Sequence, residues 1–255
     1  MKIATWNVNS LRVRLPHLLD CLVATQPDIV ALQETKLPDS DFPLAEIQQA
    51  GYQVAFSGQR TYNGVAILSR TAASEVVTDI PGLDDEQRRI LAVSFDGLRV
   101  INVYIPNGQS VGSDKYSYKL AWLEKLMAYL HHELERHPRL VLLGDFNIAP
   151  EDRDVHDPKA WEGQVLVSEP ERAYFKRLLE LGFCDAFRLF EQPPESYSWW
   201  DYRMAAFRRN RGLRIDHIIV SPDLRAVCRA AWIDKSMRKL ERPSDHAPVF
   251  AEFEL

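Results

Sequence analysis

The sequence predicts an α/β fold: a four-layer α/β sandwich, two packed mixed β-sheets flanked by helices. Three observations predict it. Short apolar runs of strand character recur along all 255 residues, and several are joined by hairpin signals. A few segments with helical spacing lie between them. Each half of the chain holds several strands and one or two helices, enough to supply one covered sheet apiece.

The elements follow in order. Ile3 to Trp6 reads as a strand, and Ser10 then caps a helix over Leu11 to Ala24, where Leu11, Leu15, Leu18, Leu19 and Leu22 recur at helical spacing. Pro27 breaks that helix, and Asp28 to Gln33 reads as a buried strand. A short helix is expected after Pro43. Tyr52–Phe56 and Gly64–Ser69 are strands separated by a polar turn with Asn63-Gly64. Ile90–Phe95 and Leu98–Tyr104 flank Asp96-Gly97, a dipeptide that tolerates the positive φ of a tight hairpin turn. Tyr116 to Arg136 is the longest helical pattern; Pro138 ends it and a strand around Leu140 follows. Ser168 and Glu171 form a capping box for a helix to Leu181, closed by Gly182. Ile215–Ser221, Ala226–Ile233 and Pro248–Glu254 complete the strands.

Bulk properties narrow the class. Hydrophobic residues make up 46% and charged residues 26%, ordinary for a globular protein with a sizeable core. The net charge of -5 neither announces nor excludes a nucleic-acid binder, because clustered acids can coexist with a basic face. Cys21, Cys184 and Cys228 are far apart and form no metal spacing, so they read as reduced core residues. No signal peptide or apolar run of transmembrane length is visible. With no linker, low-complexity tract or short-period repeat, residues 1–255 are expected to form one domain, a cytoplasmic monomer.

The chemistry is concentrated at strand ends. Leu140 to Leu143 is a buried run that stops at Gly144 and delivers Asp145 and Asn147, two positions apart and therefore expected on one side of an extended chain. Other strands end alike: Trp6 leads to Asn7 and Asn9, Gln33 to Glu34, the next to Tyr104 before Pro106-Asn107-Gly108. Asp216 opens one strand, and Asp245-His246 precedes another. Mg²⁺ wants hard oxygen ligands, and Glu34 and Asp245 suit it. Asn7, Asn147, Tyr104 and His246 can serve a phosphate, Asp145 can hold a water, and Asp216 can fix the imidazole tautomer. Each residue also has a plain structural reading. Asp145 and Asn147 can make a turn, Glu34 can be a surface acid, Tyr104 a core tyrosine, Asp216 a cap and His246 a satisfied structural histidine. His131 and His132 read as solvated; His17, His137, His156 and His217 have no stronger claim.

Seven segments carry a resemblance. Trp6 through Arg12, Leu32 through Lys36, Asn63 through Ile67, Tyr104 through Gly108, Gly144 through Ile148, Gly212 through Asp216 and Ser244 through Pro248 resemble the successive motifs of the exonuclease III family. These are class II abasic-site endonucleases of the endonuclease/exonuclease/phosphatase superfamily. Ser244 through Pro248 indicates only the superfamily; Asn9-Ser10-Leu11-Arg12 and the block from Tyr197 to Asp216 point to the exonuclease III branch.

The resemblance implies a Mg²⁺-dependent DNA-repair phosphodiesterase, with Mn²⁺ as an alternative metal. It would incise duplex DNA at abasic sites and process blocked or recessed 3′ ends as a 3′-5′ exonuclease and 3′-phosphatase. The metal is expected among Glu34, Asn7, Asp245, Asp145 and Asn147. The catalytic set is expected to be Tyr104, Asp145, Asn147, Asp216 and His246, and Asn9 and Asn107 are expected to touch substrate. Trp199 and Trp200, followed by Arg203, Arg208, Arg209, Arg211 and Arg214, suit a surface that contacts phosphates and an unstacked sugar or base. A solvated basic loop over a Trp core is the plain alternative. By resemblance, Trp199, Leu213 and Ile215 would line a pocket for a flipped abasic sugar; from the aromatic and arginine pattern itself, Arg208 and Arg211 would bind DNA. Lys115, Lys119, Arg12 and Arg14 are weaker candidates for backbone contacts. Residues 156–167 match less well, which leaves a 3′-phosphatase/exonuclease with weak abasic incision as the alternative. A phosphatase of the superfamily acting on a non-nucleic-acid ester and a non-catalytic DNA-binding module are the remaining rivals.

Overall fold

The computed structural model describes residues 1–255. The first sheet comprises β1 (Lys2–Asn7), β2 (Ile29–Gln33), β3 (Gln53–Ser57), β4 (Val65–Ser69), β11 (Cys228–Ile233) and β12 (Val249–Phe253). Its spatial order is β11-β12-β1-β2-β4-β3. The second comprises β5 (Ser74–Val77), β6 (Ile90–Phe95), β7 (Leu98–Tyr104), β8 (Arg139–Asp145), β9 (Cys184–Asp185) and β10 (Asp216–Val220). Its order is β5-β6-β7-β8-β10-β9. α1 (Leu11–Thr25) and α2 (Leu44–Gln49) cover the first sheet; α3 (Asp114–Arg136) and α5 (Glu169–Glu180) cover the second. The expected four layers are present.

Alternation explains why the central strands read as unbroken apolar runs. In β1, Ile3 faces the opposite sheet while Ala4 and Trp6 face α1; in β8, Val141 and Leu143 face inward while Leu140 and Leu142 meet α3 and α5. A strand buried on both faces has no polar side to show. Each sheet also has one parallel pair at its centre, β1 with β2 and β7 with β8, and these pairs end with Asn7 opposite Gln33 and Tyr104 opposite Asp145. The two ends are tied across the sandwich. Asn102 of β7 donates to the carbonyls of Leu32 (2.9 Å) and Ala66 (3.0 Å), and Gln33 Nε2 donates to Asn102 Oδ1 (2.7 Å) and Thr5 Oγ1 (2.9 Å).

Four elements escaped the sequence: β5, β9, α4 (Pro158–Trp161) and α6 (Pro222–Val227). β5 is a largely exposed edge with an irregular register on β6, and β9 has two residues. α6 takes Ala226 and Val227 from the expected strand, with Pro222 in its first turn, a position proline favours. Ser10 does not cap α1 with its side chain. It sits at φ 90°, and the loop docks instead through Ser10 N–H to Glu34 O (2.8 Å) and Leu11 N–H to Thr35 O (3.0 Å). The capping box of Ser168 and Glu171 is formed as expected.

Candidate active site

Gly144 sets the second sheet's contribution. A Cβ there would lie 1.9 Å from the Val103 carbonyl oxygen, so only glycine lets β7 and β8 approach this closely. The next residue, Asp145, is thereby seated beside Tyr104. Asn147 reaches the site by a different route from the alternation expected of a strand. It adopts a left-handed φ of 49°, and its backbone N–H donates to Asp145 Oδ1 at 2.9 Å, an Asx turn. Its carboxamide donates to Ile105 O (3.0 Å) and accepts from Asn107 Nδ2 (3.1 Å).

The first sheet contributes Asn7 and Glu34. Glu34 also has a left-handed φ, 51°, as do Asn9 (43°) and Lys36 (55°). Non-glycine residues held there cost free energy that the surrounding structure must repay, and such residues gather at functional sites. The turn is wedged by Gly64, whose Cβ would lie 2.2 Å from Thr35 Oγ1, while Thr35 and Lys36 donate their N–H groups to the carbonyls of Gly64 and Asn63.

Asn7 joins the two sheets: its Nδ2 donates to Glu34 Oε1 and to Asp145 Oδ2, each at 2.9 Å. Its Oδ1 accepts from Asn9 N–H (2.9 Å), so its carbonyl faces away from the carboxylates. Ligand atoms of Glu34, Asp145 and His246 lie within 4.8 Å of one another. Three other expected metal ligands make hydrogen bonds of their own. Asn7 turns its NH₂ toward Glu34 and Asp145 and orients the carboxylates. Asn147 spends its carboxamide on Ile105 and Asn107. Asp245 holds Asn9 Nδ2 on one oxygen and Trp199 Nε1 on the other, both at 2.9 Å.

His246 is buried, with Nδ1 2.9 Å from Asp216 Oδ2 and Nε2 3.8 Å from Asp145 Oδ2. Burial disfavours its charge, but Asp216 and then Asp145 outweigh burial and lift its pKa well above the ordinary imidazole value. With His246 Nδ1 engaged by Asp216, Glu34 and Asp145 are the oxygen donors of the group. Burial raises the Asp145 carboxyl, against the pull of His246. Glu34 is held low: Lys36 Nζ, 2.8 Å from Oε2, and the Asn7 hydrogen bond outweigh its burial. The Tyr104 hydroxyl is raised by burial and by the charges of Glu34 and Asp145, so it remains an O–H donor. Its ring lies under the Arg89 guanidinium, 4.6 Å from the centroid.

Two neighbours were not singled out from the sequence. Lys36 completes the Glu34 turn and donates to Asn9 Oδ1 (2.5 Å). Ser198 donates to Asp216 Oδ2 (2.6 Å) and accepts the N–H groups of Ile215 and Asp216 (3.1 Å each). A cation two residues past the acid was the available signal for Lys36. Ser198 offered none, because its partners are 17 and 18 residues away.

The wall beside Asp245 differs from expectation. Trp199 is half-buried, but Leu213 (0% exposed) and Ile215 (1%) present no surface. They pack with Ala149, Val155, Leu166 and Val167 beneath Trp199, Trp161 and Val165. They are the floor under this wall rather than the lining of an open pocket. Arg208, Arg209 and Arg211 are exposed, and Trp200 is core. Arg214 is buried against Asp154 and Asp185, and Lys119 is buried against Glu171, so neither is a surface base. Asn107 is exposed, at the end of the Asn147 hydrogen bond. Arg12 pairs with Asp41, and Arg14 donates to the carbonyls of Asn9 (2.7 Å) and Pro243 (2.8 Å).

Comparison with known proteins gives a consistent result. The pattern of the endonuclease/exonuclease/phosphatase family matches residues 4–246. An exodeoxyribonuclease III of Haemophilus influenzae is 38% identical, over 99% of this chain and 100% of its own. Among solved structures, the 3′ phosphatase NExo from Neisseria, bound to a product DNA hairpin, superposes with a TM-score of 0.98 at 49% identity, covering both chains completely. An AP endonuclease from Archaeoglobus fulgidus, also covered completely, gives 0.96 at 39% identity.

Proposed function

The chain belongs to the endonuclease/exonuclease/phosphatase family, in its exodeoxyribonuclease III branch, and from that premise we propose a Mg²⁺-dependent DNA-repair phosphodiesterase. It is a hydrolytic nuclease. Its substrates are duplex DNA with abasic sites and duplex DNA with blocked or recessed 3′ ends. The observation that carries this reading is the meeting of Glu34, Asp145 and His246 from the two sheets within 4.8 Å, with Trp199 paired to His246 and the arginines at 208, 209 and 211 exposed in the same segment of chain. We further propose that residues 1–255 act as one catalytic domain, a monomer in the cytoplasm. No helix is long and apolar enough to cross a membrane.

The donor set fits a hard divalent cation: two carboxylates, Glu34 and Asp145, converge on one point, and one or two carboxylates with phosphate oxygens suffice for Mg²⁺. When bound, the cation supplies charge neutralisation at the phosphate. The protein's own groups do the rest. Asp145, fixed at the end of β8 by the Asn7 and Asn147 hydrogen bonds, is placed to take a proton from the attacking water. A bond then forms from the water oxygen to phosphorus, a phosphate ester P–O bond breaks, and the leaving oxygen departs as a hydroxyl after taking up a proton from solvent. His246, kept charged by Asp216, faces the developing negative charge, and Tyr104 donates its O–H to a phosphate oxygen. Asn7 keeps Glu34 and Asp145 in register, and Asn147 keeps Asp145 from turning.

One observation favours a narrower reading, in which 3′-phosphate removal and exonuclease trimming dominate over abasic incision. Leu213 and Ile215, the two aliphatic residues expected to line a pocket for a flipped sugar beside Trp199, are buried. A labelled panel of abasic duplex, 3′-phosphate duplex and recessed 3′ end, assayed with Mg²⁺ and with chelator, tests both readings. Cleavage of all three supports the first, and cleavage of the 3′-end substrates alone supports the second. If all three stay intact with Mg²⁺ present, both fail.

A further inference from the structure

Lys119 points from α3 into the protein interior, where it and Glu171 are each 0% exposed. All three ammonium protons are used. One goes to Glu171 Oε1, one to the carbonyl oxygen of Asn147 (2.7 Å) and one to that of Asn107 (3.2 Å). Those two residues are bonded to each other through their carboxamides, and Asn147 N–H holds Asp145 Oδ1. Glu171 carries a second load. Its Oε1 also accepts Leu166 N–H (3.0 Å), which keeps Leu166 at a left-handed φ of 78°, and its Oε2 accepts Ser168 N–H (3.1 Å) at the start of α5. One ion pair therefore grips the loop after β7, the turn after β8 and the floor under Trp199.

Stability alone does not account for it. Taking two ions out of water costs several kcal/mol each, and a well-packed apolar pair of the same volume is commonly as stable. What an apolar pair lacks is donors for two carbonyls at the edge of the site. We propose that Lys119, with Glu171 as its counter-ion, is a positioning residue for phosphodiester hydrolysis, acting through the main chain of Asn107 and Asn147 on Asp145. This rests on the reading of the Asp145 site as the hydrolytic centre.

The test compares wild type, Lys119→Met, the double variant Lys119→Met/Glu171→Gln and Asp145→Asn. Each is read for kcat and KM on a 3′-phosphate duplex with Mg²⁺, for DNA Kd in chelator and for Tm. Lys119→Met should lower kcat by about 100-fold, the scale of a misplacement of about 1 Å, while KM and Kd stay within about twofold. It should also lower Tm, because Glu171 is left buried without a partner. The double variant leaves no lone ion, so it should recover most of the Tm but not kcat. It also carries the test where the single variant fails to fold. If kcat returns together with Tm, or never falls, Lys119 is structural only and the inference is overturned. If wild type and Asp145→Asn are equally inactive on DNA, the reading of the site fails first, and that outcome is separate from any behaviour of Lys119.

Discussion

Acidification should weaken this protein through His217, a buried imidazole outside the catalytic set. Its Nδ1 lies 3.0 Å from Arg214 Nη1, and its Nε2 lies 2.9 Å from Ile148 O. A guanidinium only donates, so Nδ1 must accept, and the single ring proton sits on Nε2 and goes to Ile148 O. Protonation would add an N–H aimed at Arg214. Burial first, and the Arg214 charge second, hold the pKa down from 6.5 to about 4. The unfolded chain therefore takes up this proton before the folded one as pH falls. The stabilising preference for neutral His217 is complete above pH 6.5 and is lost progressively toward about pH 4. The difference corresponds to about 3 kcal/mol at one fully buried group. Urea unfolding of wild type and His217→Gln at several pH values across that window measures it. Wild type should lose about 3 kcal/mol more than the variant between the two ends. Parallel pH profiles for the two proteins would refute the assignment of tautomer and charge. Ile148 is one residue past Asn147, so the same window should see the Asp145–Asn147 turn loosen.

Four further outcomes follow from the site. His246→Ala should cost about 10²–10³-fold in kcat through loss of one charge-stabilising group, and Glu34→Ala should raise the Mg²⁺ concentration for half-maximal rate; steady-state assays over a cation titration check both. Arg208→Ala and Arg211→Ala should each weaken DNA binding across sequences and reduce the salt slope of log K by about one, which fluorescence titrations at several salt concentrations measure. Leu213→Ala should cost about 2–5 kcal/mol in urea unfolding, as a fully buried leucine does. A loss confined to abasic incision at unchanged stability would show instead that Leu213 lines an open pocket.

The legible parts of the fold were those with local causes. β1, β2, β7 and β8 stood out because burial on both faces leaves nothing but apolar residues, and α5 because its capping box lies within four consecutive positions. Glu34, Asp145 and His246 were visible as polar groups interrupting such runs. The rest depends on partners distant in sequence. Lys119 and Arg214 read as surface bases, since nothing near them announces Glu171, 52 residues on, or Asp154, 60 residues back. Asn147 was assigned to the site, but through strand alternation; the left-handed turn that delivers it is a property of the Asp145 hydrogen bond. Leu213 and Ile215 were expected to meet substrate because their segment borders Trp199, and burial is decided by the six-residue cluster they complete.

The place of β1 between β12 and β2 also bears on when activity begins. Lys2 pairs with Glu252, so one of the two central strands of the first sheet is completed only by β12. Until then β1 is an unpaired apolar edge, open to wrong partners. Asn7, which bridges the two carboxylates, hangs from that strand, and His246 arrives just before β12. A nascent or C-terminally clipped chain can thus contain Glu34, Tyr104 and Asp145 and still lack both the bridge's anchor and the imidazole. Contacts this far apart in sequence form late and slowly. The topology thereby makes assembly of the site depend on one pairing between strands far apart in sequence, Lys2 with Glu252.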